Sequence, residues 1–181
     1  DTVHKASFKK TLQKNSISLD TWFQHFRSLL DKEIIKDSET EDLQTENDSY
    51  MNCPISREEV LFAFRKLKNR KAPGPDGIIG EIYKHSNEQV IQFFVKLFNV
   101  LFDKGIFPEI WTESIILPLY KKGDNNNPNN YRGISLSNIS SKLFSTVMNC
   151  RLQEWVQENN ITGDIQVGFK KGYSTIDHMF A

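Results

Sequence analysis

Apolar residues along this chain first recur at helical spacing. In residues 18–31, Trp22, Phe23, Phe26, Leu29 and Leu30 fall at i, i+1, i+4, i+7 and i+8, one face of a helix. Residues 32–52 lose that periodicity and turn acidic, which predicts a flexible linker. Ser56-Arg-Glu-Glu59 is a capping box, and Val60, Leu61, Phe64 and Leu67 follow it on one face. That helix is expected to run to about Ala72, because Pro73 disfavours helical geometry in the residue before it. Pro73-Gly-Pro-Asp-Gly77 then reads as a rigid turn, with a short helix after it around 81–84. Ser86-Asn-Glu-Gln89 is a second capping box. It opens a helix with Phe93, Phe94, Leu97, Phe98, Leu101 and Phe102 inward, and Gly105 is placed to end it. Pro108 opens a short helical turn holding Trp111.

The pattern then changes to strands, over 115–121 and 131–136. Between them lies Gly123-Asp-Asn-Asn-Asn-Pro-Asn-Asn130, a polar run that predicts an exposed, mobile hairpin loop. Helical spacing returns after a cap at Ser137 or Ser140, with Leu143, Phe144, Val147, Met148, Leu152, Trp155 and Val156 inward. Gly163 and Gln166-Val-Gly-Phe169 form an irregular connection, and a last helix starts at Ser174 or Thr175. The expected class is α+β, mostly helical with one antiparallel β-hairpin.

The 181 residues suit one domain, and 13 Phe and 3 Trp supply large apolar surfaces for its core. No apolar run reaches the ~18 residues of a membrane span, and the N-terminus lacks a basic-then-apolar signal. An intracellular protein of nucleus or cytoplasm is expected. The chain begins with Asp1 rather than Met, which reads as a piece of something longer. The two cysteines, Cys53 and Cys150, have no His at ligand spacing and read as thiols in a reducing compartment, with no metal site. The four His residues show neither metal nor triad spacing.

A formal net charge of +0 argues against a nucleic-acid partner until its distribution is considered. Asp37, Glu39, Glu41, Asp42, Glu46 and Asp48 share a stretch without Lys or Arg, whereas Arg65, Lys66, Lys68, Arg70 and Lys71 share one without acids. Local potential decides where a polyanion sits. Two further cationic positions flank the polar loop: Lys121, with Lys122 beside it, and Arg132. A hairpin with cations at its base can clamp a phosphate chain. A guanidinium suits that task, since it stays charged and its fork reaches two oxygens. Strand alternation lets only one of Lys121 and Lys122 face inward, and Lys121, directly after the strand, is the expected one. The Lys68–Lys71 cations either complement a helix dipole or contact phosphates. Pro73-Gly-Pro-Asp-Gly77 lacks the Gly-Lys-Ser ending and preceding strand of a phosphate-cradling loop, so its expected role is structural.

Three blocks of this sequence resemble the reverse transcriptases of non-LTR retrotransposons. Arg70-Lys-Ala-Pro-Gly-Pro-Asp-Gly-Ile78 resembles the Lys-x-Pro-Gly-Pro-Asp-Gly segment that opens their polymerase region. Trp111 to Asp124, followed by Asn129-Asn-Tyr-Arg-Gly-Ile-Ser-Leu136, resembles their fingers hairpin. Gln166-Val-Gly-Phe-Lys-Lys-Gly-Tyr-Ser-Thr175 resembles their Gln-x-Gly-Phe-Arg-x-Gly-x-Ser-Thr block. The blocks stand in the family's order and cover about residues 55–181. The resemblance implies the fingers region of a right-hand polymerase with a truncated palm. Residues 1–52 would be a helical N-terminal segment and acidic linker, and residues 53–181 the fingers and the start of the palm.

The same resemblance implies that Lys121 and Arg132 contact the triphosphate of an incoming deoxynucleotide. Lys68, Arg70, Lys71, Lys170 and Lys171 would lie near nucleic acid, with an RNA template and a DNA primer as partners of the full-length enzyme. Magnesium is implied for that enzyme. Its ligands, the carboxylates of a Phe-x-x-x-Asp strand and a Tyr/Phe-x-Asp-Asp turn, do not occur here. Asp177 falls too early in the pattern to be one of them. No catalytic residue is expected in this chain. Three rival readings are a noncatalytic nucleic-acid-binding remnant, a helical interaction module and a group II intron maturase. The Lys-Lys-Gly-Asp and Tyr-Arg-Gly-Ile-Ser-Leu forms favour the retrotransposon type over the maturase.

Overall fold

A computed structural model describes residues 16–31 and 51–159, together with Ile161 and Gly172. Its elements in chain order are α1 (Leu19–Leu30), α2 (Arg57–Lys66), α3 (Gly80–Lys84), α4 (Glu88–Lys104), a 3-10 turn (Glu109–Trp111), β1 (Ser114–Tyr120), a 3-10 turn (Pro128–Asn130), β2 (Tyr131–Ser137) and α5 (Ile139–Glu158). The class is α+β, and the described residues form five helices and one two-stranded antiparallel sheet. The expected linker over 32–50, the Gln166 block with Lys170 and Lys171, and the helix at Ser174 or Thr175 lie outside the described residues.

Helices α2, α4 and α5 build the core. Val60 and Phe64 of α2, Phe94 and Phe98 of α4, and Leu143 and Val147 of α5 are all buried in one cluster. Aromatic edges interlock it, with Phe98 meeting Phe144 at 5.3 Å and Phe94 meeting Phe64 at 5.5 Å between ring centroids. The capping box at the start of α2 is present as expected, Ser56 and Glu59 each accepting a backbone N–H of the other. Gly105 ends α4 in the left-handed region, φ 62°.

Several expectations fail, each for a local reason. Helix α2 ends at Lys66 rather than near Ala72. Leu67 turns to extended geometry, ψ 132°, and buries its side chain in the core. The Lys84 ammonium then takes the Leu67 carbonyl and the Asn69 side chain, so residues 68–72 form a hook outside the helix. The cap of α4 is Asn87, whose side chain accepts from Val90, because the Ser86 hydroxyl donates to the Tyr83 carbonyl instead. Phe93, expected inward, is exposed, while Ile91 takes a buried place. In α1 only Trp22 and Phe26 of the expected face are buried. In α5 the cap position is Asn138, without a side-chain cap, and Leu152 faces solvent.

The residue next to Leu152 is buried in its stead. Arg151 is 2% exposed. Its guanidinium forms a fork with Glu59, Nε to Oε1 at 2.6 Å and Nη2 to Oε2 at 2.9 Å. It also donates to the carbonyls of Cys53 at 2.7 Å and Pro54 at 3.1 Å, and lies over the Phe102 ring of α4. All of this couples the start of α2 to the end of α5.

Arg151→Met should destabilise the chain by about 3–5 kcal/mol, the usual effect of removing one partner of a buried pair. Adding Glu59→Gln, which keeps an N3 residue able to cap, should recover part of that loss in urea unfolding. Burial alone would raise the Glu59 pKa, but the Arg151 and Ser56 hydrogen bonds outweigh it and hold the carboxyl below its ordinary value. The pair's contribution is therefore complete above the unfolded glutamate value of about 4.3 and is lost as pH falls through the lower folded value. In Arg151→Met the part of the acid destabilisation that comes from this pair should be gone.

Candidate nucleotide and nucleic-acid interface

The strand register determines which side chains share a face. Leu119 pairs with Arg132, Leu117 with Ile134 and Ile115 with Leu136. The ladder continues past the end of β1, since the Lys121 N–H donates to the Asn130 carbonyl at 2.9 Å. Paired residues and every second residue project to one side. Leu117, Leu119, Lys121, Arg132 and Ile134 thus form a front face, and Lys122 falls out of that alternation. Lys121 and Arg132 are diagonal neighbours, a spacing of roughly 7–8 Å that two long side chains bridge easily. At the turn end this face is open: Leu119, Lys121, Arg132 and Ile134 are all exposed.

The back face carries Ile116, Pro118, Tyr120, Tyr131 and Gly133, and α1 covers part of it. Trp22 meets Tyr131 edge to face at 4.8 Å. A Cβ built on Gly133 would stand 2.7 Å from Phe26 Cε1. An apolar groove of about 670 Å³ runs beside this contact, lined by Leu19, Phe23, Leu30 and Ile116 among others. Its walls offer little to hold a phosphate chain.

The expected exposed loop is exposed, and several of its polar groups are hydrogen-bonded within it. Asp124 accepts from the Asn126 N–H and Asn127 from the Asn129 N–H. The Asn130 amide donates to the Asp124 carbonyl, the Tyr131 hydroxyl to the Asn125 carbonyl, and Ser16 to the Asn126 side chain. This geometry belongs to a shaped loop that holds the strand ends at a set separation.

The second basic group stands at the other end of the hairpin. Gly74 is pressed against the junction of β2 and α5, where a Cβ would lie 2.6 Å from the carbonyl carbon of Ser137. Only glycine fits there. Asn138, buried, accepts from the Asp76 N–H at 3.1 Å and donates to the Ile110 carbonyl at 2.6 Å. The Pro-Gly-Pro-Asp-Gly turn is therefore a structural rivet, as expected, and the Lys68–Lys71 hook leads into it. Arg132 lies five positions before Ser137, about 17 Å along an extended strand. The structure does not bring the two cation groups into one pocket. It sets them toward opposite ends of one hairpin.

Among the described residues, Lys68, Arg70, Lys71, Lys121 and Arg132 form no ion pair, in contrast to Arg57, which is bonded to Glu88 at 2.6 Å. The Arg57 guanidinium holds the Glu88 carboxyl at about 2. Arg70 is also the one described non-glycine residue with positive φ, 57°. Its N–H donates to the Glu81 carboxylate, which holds Glu81 below the usual carboxylate range. Spacing alone gave no sign that Glu81 and Lys84 of α3 tie down the basic hook. No group of three or more His, Cys, Asp or Glu among the described residues is placed to hold a metal ion. No described helix is long and apolar enough to cross a membrane.

No family model matches the chain. It is 30% identical over 165 residues, 89% of its length, to a probable RNA-directed DNA polymerase from transposon BS of Drosophila melanogaster, and covers 18% of that protein. It is 31% identical over 127 residues to a probable RNA-directed DNA polymerase from transposon X-element of the same fly, 70% of this chain and 14% of the relative. A Pol polyprotein from the type-1 retrotransposable element R2 of Popillia japonica matches at 29% over 124 residues, 68% of the chain and 16% of that protein. The chain spans less than a fifth of the length of each of these relatives.

Arg70→Gly separates the two properties of its position. Glycine holds the left-handed conformation without the Cβ clash, which relieves roughly 1–2 kcal/mol, offset by about 0.5–1 kcal/mol of glycine entropy, so stability should hold or rise slightly. Affinity for an RNA oligonucleotide should fall, and the slope of log affinity against log salt should shrink by about 1. Thermal unfolding and binding titrations at three salt concentrations check both signs.

Proposed function

We infer, from a chain related in sequence to the RNA-directed DNA polymerases of non-LTR retrotransposons, that it forms the fingers portion of such an enzyme. In this reading residues 53–181 supply fingers and the first part of the palm. The observation that carries the reading is the register of the hairpin, which sets Lys121 and Arg132 on one open face where, among the described residues, neither forms an ion pair. Two unpaired cations on a backbone held by its own loop suit the triphosphate of a deoxynucleotide. The guanidinium of Arg132 can span two phosphate oxygens, and the Lys121 ammonium adds a point charge beside it.

The exposed Lys68–Lys71 hook, with Lys170 and Lys171 where the resemblance puts them, would contact the phosphates of an RNA template and its growing DNA strand. Such contacts position the strand without reading its sequence. The described residues do not fit a magnesium site, since they contain no carboxylate cluster. Metal ions of the whole enzyme would be held by residues beyond those described. The chain's share is then to bind and orient the nucleotide, worth rate only insofar as it sets the reacting atoms in line.

In the full-length enzyme Arg132→Ala should lower kcat/KM for the nucleotide about tenfold or more, since a charged hydrogen bond is worth about 1.5–3 kcal/mol. Template affinity should change little, and Lys121→Ala should harm nucleotide use more than Lys122→Ala. Loss of template affinity with intact nucleotide kinetics would refute the assignment. The 181-residue chain itself should give no primer extension on an RNA template with magnesium. With no net charge, it should bind RNA weakly and with steep salt dependence.

A further inference from the structure

A two-stranded hairpin is marginal on its own in water. Among the described residues no further strand pairs with this one on either side. Its base is tied to the core through Asn138 and the Gly74 contact, but its turn end, where Lys121 and Arg132 stand, projects from that anchor. The element that meets the turn end is α1, from far upstream in the chain. Ser16 donates to Asn126 in the loop at 2.6 Å. Trp22, 1% exposed, packs its ring edge to face with Tyr131, the residue before Arg132. Phe26 stacks on Trp22 at 5.7 Å, and its ring edge fills the space that a side chain on Gly133, the residue after Arg132, would occupy.

We propose that α1 is a brace for the nucleotide hairpin, with Phe26 seated in the notch left by Gly133, so that a helix on the back face sets where Arg132 stands on the front. Phe26, Trp22 and Gly133 are positioning residues in this scheme; none of them touches the nucleotide. The proposal rests on the reading of the front face as the triphosphate site. It assigns the glycine after Arg132 a physical reason: any side chain there would collide with the brace. Arg132 is held from both neighbours in sequence, through the Tyr131 ring on one side and the bare Gly133 backbone on the other. A change in α1 therefore reaches the guanidinium without any contact to it.

The test is amide hydrogen exchange in the full 181-residue chain for Phe26→Ala, Gly133→Val and the double variant. Valine favours strands, so in a self-sufficient hairpin Gly133→Val would preserve or strengthen protection. The brace requires the opposite: both single variants raise exchange of the hairpin amides roughly tenfold, leave α2, α4 and α5 unchanged, and combine without adding, because each breaks the same seat. Unchanged or greater protection in Gly133→Val, or additive effects, overturns the brace.

A second readout is titration with inorganic triphosphate, with Arg132→Ala as the control for the front face. Loosened variants should bind it several-fold more weakly than the wild type. Equal binding by loosened variants would show that α1 does not position Arg132 and would overturn the proposal. Absence of triphosphate binding in the wild type would overturn the nucleotide reading itself, while the exchange data still decide whether α1 holds the hairpin.

Discussion

The structure depends on one buried guanidinium. Arg151 lies where three helices converge, projecting from α5, forked onto Glu59 at the start of α2, and lying over Phe102 near the end of α4. Glu59 is at the same time the carboxylate of the α2 capping box. One side chain therefore ends a helix's unsatisfied donors and neutralises a buried charge. The remaining donors of Arg151 go to carbonyls of residues 51, 53 and 54, so the segment entering the core is held by the same group. An apolar residue could fill that space, but it could not draw in a run of backbone carbonyls and a helix cap together.

From that core the hairpin is displayed, not buried. Its base is riveted where Asn138 reaches Asp76 and Ile110, two segments distant in sequence. Gly74 completes the rivet by close approach of backbone to backbone. Farther out, the Asn-rich loop satisfies its own polar groups and α1 backs the strands. The front face can then remain open, with exposed Leu119 and Ile134 flanking Arg132, which forms no ion pair among the described residues. An open cation supported from behind is what a site needs if it must bind and release a polyanion repeatedly.

The basic hook follows a different logic. Helix α2 stops early because Leu67 gains more from the core than from another helical turn, and Lys84 and Glu81 of α3 then capture the freed backbone. Arg70 is held in a conformation that glycine would adopt at less cost.

Much of this was legible from spacing alone. The periods of 3.6 and 2 located α1, α2, α4, α5 and both strands, the Ser56 box opened α2 and Gly105 closed α4 as expected, and the polar run between strands set the hairpin. These features are local: each depends on residues within a turn or a strand of one another. Residues such as Arg151, Asn138 and Phe26 were not legible as what they became. An arginine at an amphipathic boundary looks solvent-facing until a carboxylate some 90 residues away is folded against it. The sequence offered Ser137 or Ser140 as the cap of α5, whereas Asn138 holds that position with its side chain turned to Asp76 and Ile110. Gly133 was an ordinary glycine of a motif until Phe26 arrived opposite it. The sequence by itself determined the elements and the kind of chemistry they display, because hydrophobic period and turn composition act over a few residues. The tertiary structure alone decided which polar groups are buried, where α2 stops and which helix backs the hairpin, because each of those follows from the approach of segments distant in the chain.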